Sequence, residues 1–477
     1  METDCYIDGV WVQAGERFPV FDPATAQIVG HAADASPELA TAAIASAHDA
    51  FQGWAGSTAR DRAEAIRRIS RALLEEIDTI ADLIVSEQGK TRGQALFEVR
   101  LATDWFDWFA EEARRAYGEI IPSSAPGKRL SVRRQPLGVA VAITPWNFPI
   151  AMIARKLAPA LAAGCTVVVK PAEQTPLSPV ALFEAIDRTD LPPGVANLIT
   201  CAHPESISTA LIEDERVRKI TFTGSTEVGK QLVRASARNL ARVSLELGGQ
   251  APFIVFDDAD LKSAISGLLA SKFQVNGQSC LCANRVFVQE GVREEFTGLL
   301  KEAVSKLRVG LGSDQTTDIG PLINEQGYEK VANHVADAVA NGAHIECGGK
   351  RSTEDGFERG FFFEPTILSH CTDDMLCASE ETFGPVIPLL SFGSEDEVVQ
   401  RSNQTPYGLA AYLYTSDLGQ ATRTAERLEF GIVGVNDAMP ASPTAPFGGF
   451  KESGLGREGG RDGLSAFMET KLISVAT

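Results

Sequence analysis

The apolar residues of this chain change their spacing at about residue 137. Before that point they recur at helical spacing, and Ser36 followed by Pro37 marks the start of one such helix. The face of that helix consists of Leu39, Ala43, Ala47 and Phe51. A second helix is predicted from about residue 57 to residue 86, with Gly89 ending it. Both stripes predict packing surfaces rather than a functional site.

After residue 137, short continuous apolar runs alternate with helical stretches. The predicted strands are residues 139–144, 166–169, 217–222 and 252–256, and the predicted helices are residues 177–188, 226–236 and 259–271. Apolar strands separated by helices are typical of a parallel, doubly wound sheet. The predicted fold class is therefore α/β, with ligands bound at the carboxyl ends of the strands. Residues 123–135 interrupt the pattern, and a last strand is predicted at residues 471–476.

Composition narrows the class of protein. A chain of 477 residues is too long for one hydrophobic core and predicts two or three domains. The net charge of −19 argues against nucleic acid as a partner, because phosphate binding needs clustered Lys and Arg. The eight cysteines are scattered, the start has no signal-peptide pattern, and no apolar run approaches the roughly 20 residues that cross a bilayer. We expect a reduced, cytoplasmic protein with no membrane partner.

The strongest candidate chemistry is a thiol with a carboxylate upstream of it. Cys280 follows a turn formed by Gly277 and Gln278, and Glu246 lies at the end of the apolar run that begins at Val243. The two residues are separated by 280 − 246 = 34 positions. A thiol presented on such a loop can act as a nucleophile, and a nearby carboxylate can activate the water that releases a group bound to the sulfur.

Two more turns follow predicted strands. In the first, Pro145 and Pro149 stiffen the chain around Asn147, whose amide either stabilises an oxyanion or only satisfies backbone groups of the turn. In the second, Gly224 and Ser225 lead into a helix whose free N–H groups and dipole suit a pyrophosphate. Ser225 fits both an N-cap and a phosphate contact.

Other patterns are excluded as sites. Residues 454–459 have the spelling G-x-G-x-x-G, but no apolar strand precedes them and the chain stops about twenty residues later, too soon for a βαβ unit. The six histidines show no ligand spacing, and Cys280-x-Cys282 lacks a second pair, so no metal site is expected.

Five strings together resemble the signatures of the aldehyde dehydrogenase family, and the resemblance covers essentially the whole chain. They are P-W-N-F-P at 145–149, K-P-A-E-x-T-P at 170–176, L-E-L-G-G at 245–249, F-x-x-x-G-Q-x-C at 273–280 and E-x-F-G-P at 381–385. The resemblance implies a Rossmann-type cofactor domain, an α/β catalytic domain and small oligomerisation strands in a homodimer or homotetramer. The implied ranges are 1–117 and 137–248 for the cofactor domain, 249–446 for the catalytic domain, and 118–136 and 464–477 for oligomerisation.

The resemblance also implies roles for individual residues. Cys280 would be the nucleophile and Glu246 the general base, while Asn147 would hold the oxyanion and Lys156 would be a weaker candidate for relaying a proton. The cofactor would be NAD, with NADP possible, because Glu173 would oppose a 2′-phosphate at the adenosine ribose. The implied cofactor contacts are Trp146, Asn147, Lys170, Glu173, Gly224, Ser225, Leu247, Glu381 and Phe383.

Within the family the chain is most similar to succinate-semialdehyde dehydrogenases. The likeness rests on residues 153–156 and 281–285, and it implies an ω-carboxy aldehyde substrate bound by Arg155, Gln274 and Ser442. Two positions depart from that group, because Gln274 stands where an arginine is frequent and Ala441 stands where a serine is expected. Another ω-carboxy aldehyde therefore remains an alternative, as does an enzyme that is broad-range or acts on neutral or aromatic aldehydes.

Three further expectations complete this interpretation. Cys280 and Cys282 are predicted to form a reversible disulfide, although a buried structural role for Cys282 is about as plausible from its position. A CoA-dependent enzyme is disfavoured by Glu246, which such enzymes generally lack. A structural, crystallin-like protein of the same fold is disfavoured because it would not need Cys280, Glu246 and Asn147 together.

Overall fold

The computed structural model describes residues 3–352 and 357–477. The strands in this part of the chain are β1 (Cys5–Ile7), β2 (Val10–Val12), β3 (Glu16–Phe21), β4 (Ile28–Asp34), β5 (Glu119–Ile121), β6 (Lys128–Pro136), β7 (Val139–Ile143), β8 (Thr166–Lys170), β9 (Ala196–Leu198), β10 (Val217–Thr223), β11 (Arg242–Glu246), β12 (Ala251–Val255), β13 (Ala283–Gln289), β14 (His344–Cys347), β15 (Thr366–Ser369), β16 (Val386–Phe392), β17 (Ala410–Tyr414), β18 (Ile432–Val435), β19 (Gly454–Leu455) and β20 (Met468–Ala476).

The α-helices of the described residues lie between these strands. They are α1 (Pro37–Gly56), α2 (Ala59–Glu75), α3 (Ile77–Gln88), α4 (Arg92–Glu112), α5 (Ala151–Ala163), α6 (Leu177–Asp187), α7 (Pro204–Glu213), α8 (Thr226–Ser236), α9 (Leu261–Lys272), α10 (Arg293–Val304), α11 (Glu325–Ala340), α12 (Leu376–Ser379), α13 (Glu395–Asn403), α14 (Leu418–Arg427) and α15 (Gly460–Ser465). None of these helices is both long enough and apolar enough to cross a membrane.

The first large sheet has the strand order β19-β11-β10-β7-β8-β9-β1-β2. Its five central strands, β11 to β9, are parallel, and the edge strands are antiparallel. Alternate residues of β7 enter different cores, since Ala140 packs with residues of α2 to α6 and Val141 packs with residues of α1 and α7. Helices therefore cover both faces, which confirms the doubly wound α/β prediction.

The second large sheet has the order β14-β15-β16-β13-β12-β17-β18. All its pairs are parallel except the edge pair of β14 with β15. It also separates two hydrophobic cores, with Phe253 in one and Ile254 in the other. Because β19 belongs to the first sheet, the chain returns there after completing the second.

A smaller antiparallel sheet, β20-β6-β5, contains both the predicted excursion and the predicted last strand. It carries exposed apolar side chains, with Ile120 89% and Leu472 61% accessible. Apolar side chains on an exposed sheet suit an interface, because long open edges and apolar patches are otherwise liabilities.

One helix prediction is wrong. The stretch expected to be a single helix from about residue 57 to residue 86 consists of α2 and α3, which are separated at Glu76. Glu76 has φ −107° and ψ 14°, and its N–H bonds to Leu73 rather than continuing the helical ladder. No glycine or proline marks this break, so the apolar spacing alone did not reveal it. Helix α3 ends as predicted, with Gly89 in the left-handed region at φ 87°.

Candidate active site

A cavity of about 470 Å³ lies between the two large sheets. Its wall includes the segments that follow β7, β10 and β11 in the first sheet. Residues from the segments 271–281, 323–330, 381–383 and 438–447 also line it, together with residues of α4 and α5, Gln174 and Tyr412. Strand ends of a doubly wound sheet are where ligands are expected, and eleven of the predicted site residues line this cavity. They are Trp146, Asn147, Arg155, Gly224, Ser225, Leu247, Gln274, Cys280, Glu381, Phe383 and Ser442.

Cys280 lies in a turn on the cavity wall and is half-buried. Burial and the negative charges of Glu381 and Glu246 raise the pKa of its thiol to about 12, and Arg155 opposes this rise. The resting group is therefore a thiol at neutral pH. It needs a base before it can attack a carbonyl carbon.

The loop before Cys280 has an unusual backbone. Val275 and Asn276 lie in the left-handed region, with φ 50° and 59°, where side chains are strained. The buried Asn276 side chain stabilises this shape by donating to the carbonyls of Gly89 and Pro321 and by accepting from the N–H of Gly320. The Cys280 thiol is thus held on a preformed loop.

Asn147 lies directly opposite this loop. Its Nδ2 donates to the carbonyl oxygen of Gln278 at 2.9 Å, which leaves the second N–H of the amide for another acceptor. Its Oδ1 is buried and has no hydrogen-bond partner. The amide is therefore fixed beside Cys280, as an oxyanion donor requires.

Glu246 lies immediately before the cavity-lining Leu247 and is 2% exposed. Neither carboxylate oxygen has a hydrogen-bond partner. Burial, and then the charge of Glu458, raise the pKa of Glu246 well above its usual value, while Arg155 and Lys156 oppose the shift. A buried carboxylate without donors is suited to accept a proton.

A buried cluster behind the site was not predicted. Glu458 accepts hydrogen bonds from Arg155 Nε and Lys156 Nζ, both at 2.6 Å, and from Thr221 Oγ1 at 3.2 Å. These two cations hold the pKa of Glu458 below its usual range, while burial lowers that of Lys156. The G-x-G-x-x-G run that was excluded as a phosphate loop therefore supplies this carboxylate. The signal that could have found it is Arg155-Lys156 in the otherwise apolar helix α5, because adjacent buried cations require a counter-charge.

Arg155 lies on the cavity wall with one edge of its guanidinium held. Nε bonds to Glu458, Nη1 contacts the Met152 sulfur at 3.8 Å, and buried Nη2 has no partner. The Phe447 ring centroid is 3.5 Å from Cζ, and that of Trp105 is 5.5 Å away. The free nitrogen is suited to an anionic group of a bound molecule.

The other predicted substrate residues also line the cavity. The side chain of Gln274 has no hydrogen bond within the described part of the protein, and only its carbonyl is used, by the Cys282 thiol at 3.6 Å. Ser442 Oγ lies 2.8 Å from Thr444 Oγ1. Cys282 itself is buried outside the cavity, and burial raises its pKa to about 11.

Several of the predicted cofactor residues also line the cavity. Ser225 caps α8 by accepting from the N–H of Val228, and Gly224 and Ser225, just before this helix, line the cavity. The rings of Trp146 and Phe383 meet edge to face at 5.6 Å. Glu381 accepts from the N–H of Gly249 at 3.0 Å.

Two predicted ribose residues lie beside the cavity rather than on its wall. Lys170 ends β8 and is buried, with Nζ 3.8 Å from Glu173 Oε2. Glu173 Oε1 accepts from the side chain of Gln174, which does line the cavity. These neighbouring groups match the chemistry of ribose hydroxyls, which both donate and accept hydrogen bonds.

Comparisons with known proteins agree with this geometry. The model of the aldehyde dehydrogenase family matches residues 11–473. The mitochondrial succinate-semialdehyde dehydrogenase of Rattus norvegicus is 47% identical over 476 residues, covering 99% of this chain and 90% of the rat protein. The 3-sulfolactaldehyde dehydrogenase of Pseudomonas putida is 47% identical over 475 residues, covering 99% and 97%. A solved structure described as an E. coli NADP dependent enzyme gives a TM-score of 0.98 at 46% identity, covering 100% of this chain and 98% of the other. This chain belongs to the aldehyde dehydrogenase family.

Proposed function

We propose that this enzyme oxidises an aldehyde with an anionic tail to the carboxylate, using NAD(P)+, and that succinic semialdehyde is the first candidate. The observation that carries the proposal is one cavity lined by Cys280, Asn147 and Arg155, whose buried Nη2 has no partner. Nucleophile, oxyanion donor and anion-binding group thus share a single space. The names of the rat and Pseudomonas putida relatives support a substrate whose aldehyde is separated from an acidic group.

The chain's own groups fit a nicotinamide dinucleotide. The capped N-terminus of α8 has N–H groups in its first turn without helical acceptors, as a pyrophosphate requires. Lys170 and Glu173 match an adenosine ribose, and Glu381 matches the second ribose. Apolar contacts to the nicotinamide ring would come from Trp146, Leu247 and Phe383. When bound, that ring supplies the hydride acceptor.

Covalent catalysis begins at the sulfur. The thiol of Cys280 gives up its proton to solvent, and the thiolate attacks the aldehyde carbon to form a thiohemiacetal. The oxygen that becomes negative is held by the free N–H of Asn147 and by the backbone N–H of Cys280. Such fixed donors stabilise the transition state more than the bound aldehyde.

Hydrolysis follows at the same carbon once it has become a thioester. Glu246 accepts a proton from water, the resulting hydroxide attacks the thioester, and the sulfur leaves as thiolate. The proton then needs a route from a nearly inaccessible carboxyl group. Lys156 is suited to relay it, because it is buried with Glu458 beside Glu246.

Specificity is assigned to Arg155, Gln274 and Ser442 on the cavity wall. Arg155 would bind the distal anionic group through Nη2, and Gln274 and Ser442 would add neutral hydrogen bonds. At position 274 the neutral amide of Gln274 stands where a second arginine could bind the same anionic group. Binding of that group is therefore weaker by ~1.5–3 kcal/mol than with two arginines. A slightly longer or differently shaped ω-carboxy aldehyde is thus the main alternative to succinic semialdehyde.

A substrate panel tests the proposal directly. NADH formation is followed with succinic semialdehyde, glutaric semialdehyde and butanal, each with and without CoA. The proposal expects CoA-independent turnover with the highest kcat/KM for an anionic aldehyde. A strict requirement for CoA would support the acylating alternative, absence of any turnover would support a structural role, and a preference for butanal would support a neutral-aldehyde enzyme.

Assembly and compartment belong to the same proposal. We infer that the β20-β6-β5 sheet joins subunits into a homodimer or homotetramer, since it exposes Ile120 and Leu472. The cofactor domain would comprise 1–117 and 137–248, the catalytic domain 249–446, and the oligomerisation segments 118–136 and 464–477. The eight cysteines are free thiols, as suits a cytoplasmic enzyme.

A further inference from the structure

The junction between α3 and α4 contacts three of the loops that form the active site. It carries five polar side chains that are buried or half-buried, namely Glu87, Gln88, Lys90, Gln94 and Glu98. Glu87 accepts from the N–H groups of Leu177 and Ser178 at the start of α6, which follows the predicted ribose segment. None of these side chains lines the cavity, so each can act on a substrate only through another residue.

Lys90 is the contact to the oxyanion turn. Its Nζ donates to the backbone carbonyl of Asn147 at 2.7 Å and pairs with Glu98 Oε2 at 2.5 Å, and both side chains are fully buried. Glu98 Oε1 accepts from the N–H groups of Ile150 and Ala151, at 2.8 and 3.2 Å. One ion pair thus holds the chain at Asn147 and again just beyond Pro149.

Gln94 is the contact to the nucleophile loop. Its Oε1 accepts from the N–H of Val275 at 2.9 Å, and its Nε2 donates to the carbonyl of Phe273 at 3.3 Å. The two bonds fix the backbone on both sides of Gln274, where the strained left-handed turn begins. The carbonyl of Gly89, next to Lys90, accepts from the Asn276 side chain in the same loop.

We propose that Lys90 and Gln94 are positioning residues that set the oxyanion donor Asn147 and the nucleophile Cys280 in register from one structural element. The inference rests on the proposed function, because its readout is aldehyde oxidation. Proximity effects demand this accuracy, since a displacement of about 1 Å can cost roughly a hundredfold in rate. A purely structural role would change stability and leave the turnover of the folded enzyme intact.

The first experiment separates charge balance from positioning at Lys90. Lys90→Met alone leaves the Glu98 carboxylate buried without its counter-charge and is expected to lower Tm. Lys90→Met combined with Glu98→Gln removes the charge yet keeps an acceptor for Ile150 and Ala151. In the double variant we expect most of the lost Tm to return while kcat stays roughly tenfold to a hundredfold below wild type. NAD(P)+ affinity and aldehyde KM are expected to stay close to wild type.

A double-mutant cycle identifies the residue through which Lys90 acts. In an Asn147→Ala background the oxyanion contact is already lost, so adding the Lys90 and Glu98 changes should lower kcat little further. Effects that multiply would show that Lys90 does not act through Asn147. Recovery of kcat together with Tm in the Lys90→Met/Glu98→Gln enzyme would overturn the proposal for Lys90.

Gln94 gives a second test. Because its side chain is only half-buried, substitutions there are less disruptive to folding than those at Lys90 and Glu98. In Gln94→Glu the carboxylate still accepts from Val275 but repels the Phe273 carbonyl, and Gln94→Ala removes both bonds without adding charge. Both should slow the first-turnover NADH burst roughly tenfold, with dinucleotide affinity unchanged. Gln400→Glu, the same change at an exposed site on α13, is the matched control and should behave as wild type.

The outcomes distinguish the two proposals. If the wild-type enzyme does not reduce NAD(P)+ with any of the aldehydes, the proposed function is contradicted. A wild-type enzyme that turns over while both Gln94 variants match Gln400→Glu contradicts the positioning role of Gln94. Should Lys90→Met/Glu98→Gln remain unfolded, the Gln94 variants decide whether the α3–α4 junction positions the site.

Discussion

The side-chain amide of Asn147 donates to the backbone carbonyl of Gln278, so the turn at residues 145–149 is bonded to the loop of Cys280 two residues before the thiol. The bond uses one of the two amide hydrogens and aims the other away from that carbonyl. It also fixes which face of the amide is available, since Oδ1 is buried without a partner. Asn147 and the loop that carries Cys280 are therefore placed by a direct hydrogen bond as well as by the sheets that carry them.

Replacing Asn147 with Ala should lower kcat by ~10²–10³, the usual cost of losing one oxyanion donor. Asn147→Asp should be at least as damaging, because a carboxylate cannot donate and brings negative charge to the oxyanion. Stopped-flow NADH formation and dinucleotide titration measure the two effects separately. Retention of kcat within about threefold in Asn147→Ala would contradict the assignment.

Glu246 should make thioester hydrolysis depend on pH. Its raised pKa means that it holds a proton at low pH and becomes a base only as pH rises through that value. Steady turnover should therefore increase with pH. In Glu246→Gln, thioester hydrolysis should be slow and should no longer show this pH dependence, so that about one NADH per active site is released in a burst. The electrostatic field around Glu246 is set by the charges of Glu458, Arg155, Lys156 and Arg457. Substitutions at these positions should therefore shift the pH range over which turnover rises. Steady turnover close to wild type in Glu246→Gln would remove Glu246 from this role.

Replacing Cys280 with Ala should abolish aldehyde oxidation and leave dinucleotide binding nearly intact. The covalent step is lost, whereas the helix α8 and ribose contacts do not involve the sulfur. Isothermal titration of NAD+ alongside the activity assay tests both halves. Cys282→Ala, the same substitution two residues away, is the control and should remain active.

The sequence predicted those parts of the site whose chemistry requires a residue in a short motif. Asn147, Glu246 and Cys280 follow strand ends or turns, so each could be located from its neighbours alone. Glu458 could not, because its partner Lys156 is 302 positions away and only the fold brings them together. The sequence did not predict the Lys90–Glu98 pair for a related reason. Only the fold brings it to the turn at residues 147–151, where it contacts the backbone and not the reacting atoms. The break at Glu76 shows the same limit in the fold, as no local residue type marks it.

Arg155→Met should raise KM much more for an anionic aldehyde than for butanal. Loss of the free Nη2 affects only substrates with a distal charge, whereas loss of one of the two cations paired with the buried Glu458 would disturb both substrates through the cluster. The ratio of the two kcat/KM values is therefore the measurement. An equal rise in KM for both aldehydes would show that Arg155 binds no substrate carboxylate.

Gln274→Arg should improve binding of succinic semialdehyde by roughly tenfold or more, because it adds a charge-assisted contact worth ~1.5–3 kcal/mol. Butanal KM should change little, which makes it the internal control. If the natural substrate is longer or less charged, its KM should rise in the same variant. No gain for any anionic aldehyde would place Gln274 outside the tail-binding region.

NAD should be preferred over NADP. Glu173 is held by Gln174 beside Lys170, and at ~4 Å with an effective dielectric near 20 its charge would oppose a 2′-phosphate by about 4 kcal/mol, less where water screens it. Glu173→Gln should narrow the preference, and Glu215→Gln, at an exposed site, should not. Similar kcat/KM values for both cofactors in the wild type would contradict this argument.

The last prediction concerns oxidation of the active-site thiol. Peroxide converts Cys280 to a sulfenic acid with release of water, and the Cys282 thiol can then displace the hydroxyl as a second water to form a disulfide. Cys282 is buried and bonded to the Gln274 carbonyl, and burial raises its pKa to about 11. The Cys282 thiol must leave this position before it attacks, so we expect the disulfide to form more slowly than peroxide inactivates the enzyme.

Mild peroxide should therefore inactivate the wild type reversibly, with dithiothreitol restoring activity by reducing the disulfide to two thiols. Cys282→Ala should start with near-normal activity but lose the recovery, because its sulfenic acid oxidises further to irreversible forms. Mass spectrometry of the peptide containing both residues distinguishes a loss of two hydrogens from a gain of oxygen. Equal recovery of the two enzymes would mean that Cys282 is a buried structural residue and that its proximity to Cys280 has no regulatory effect.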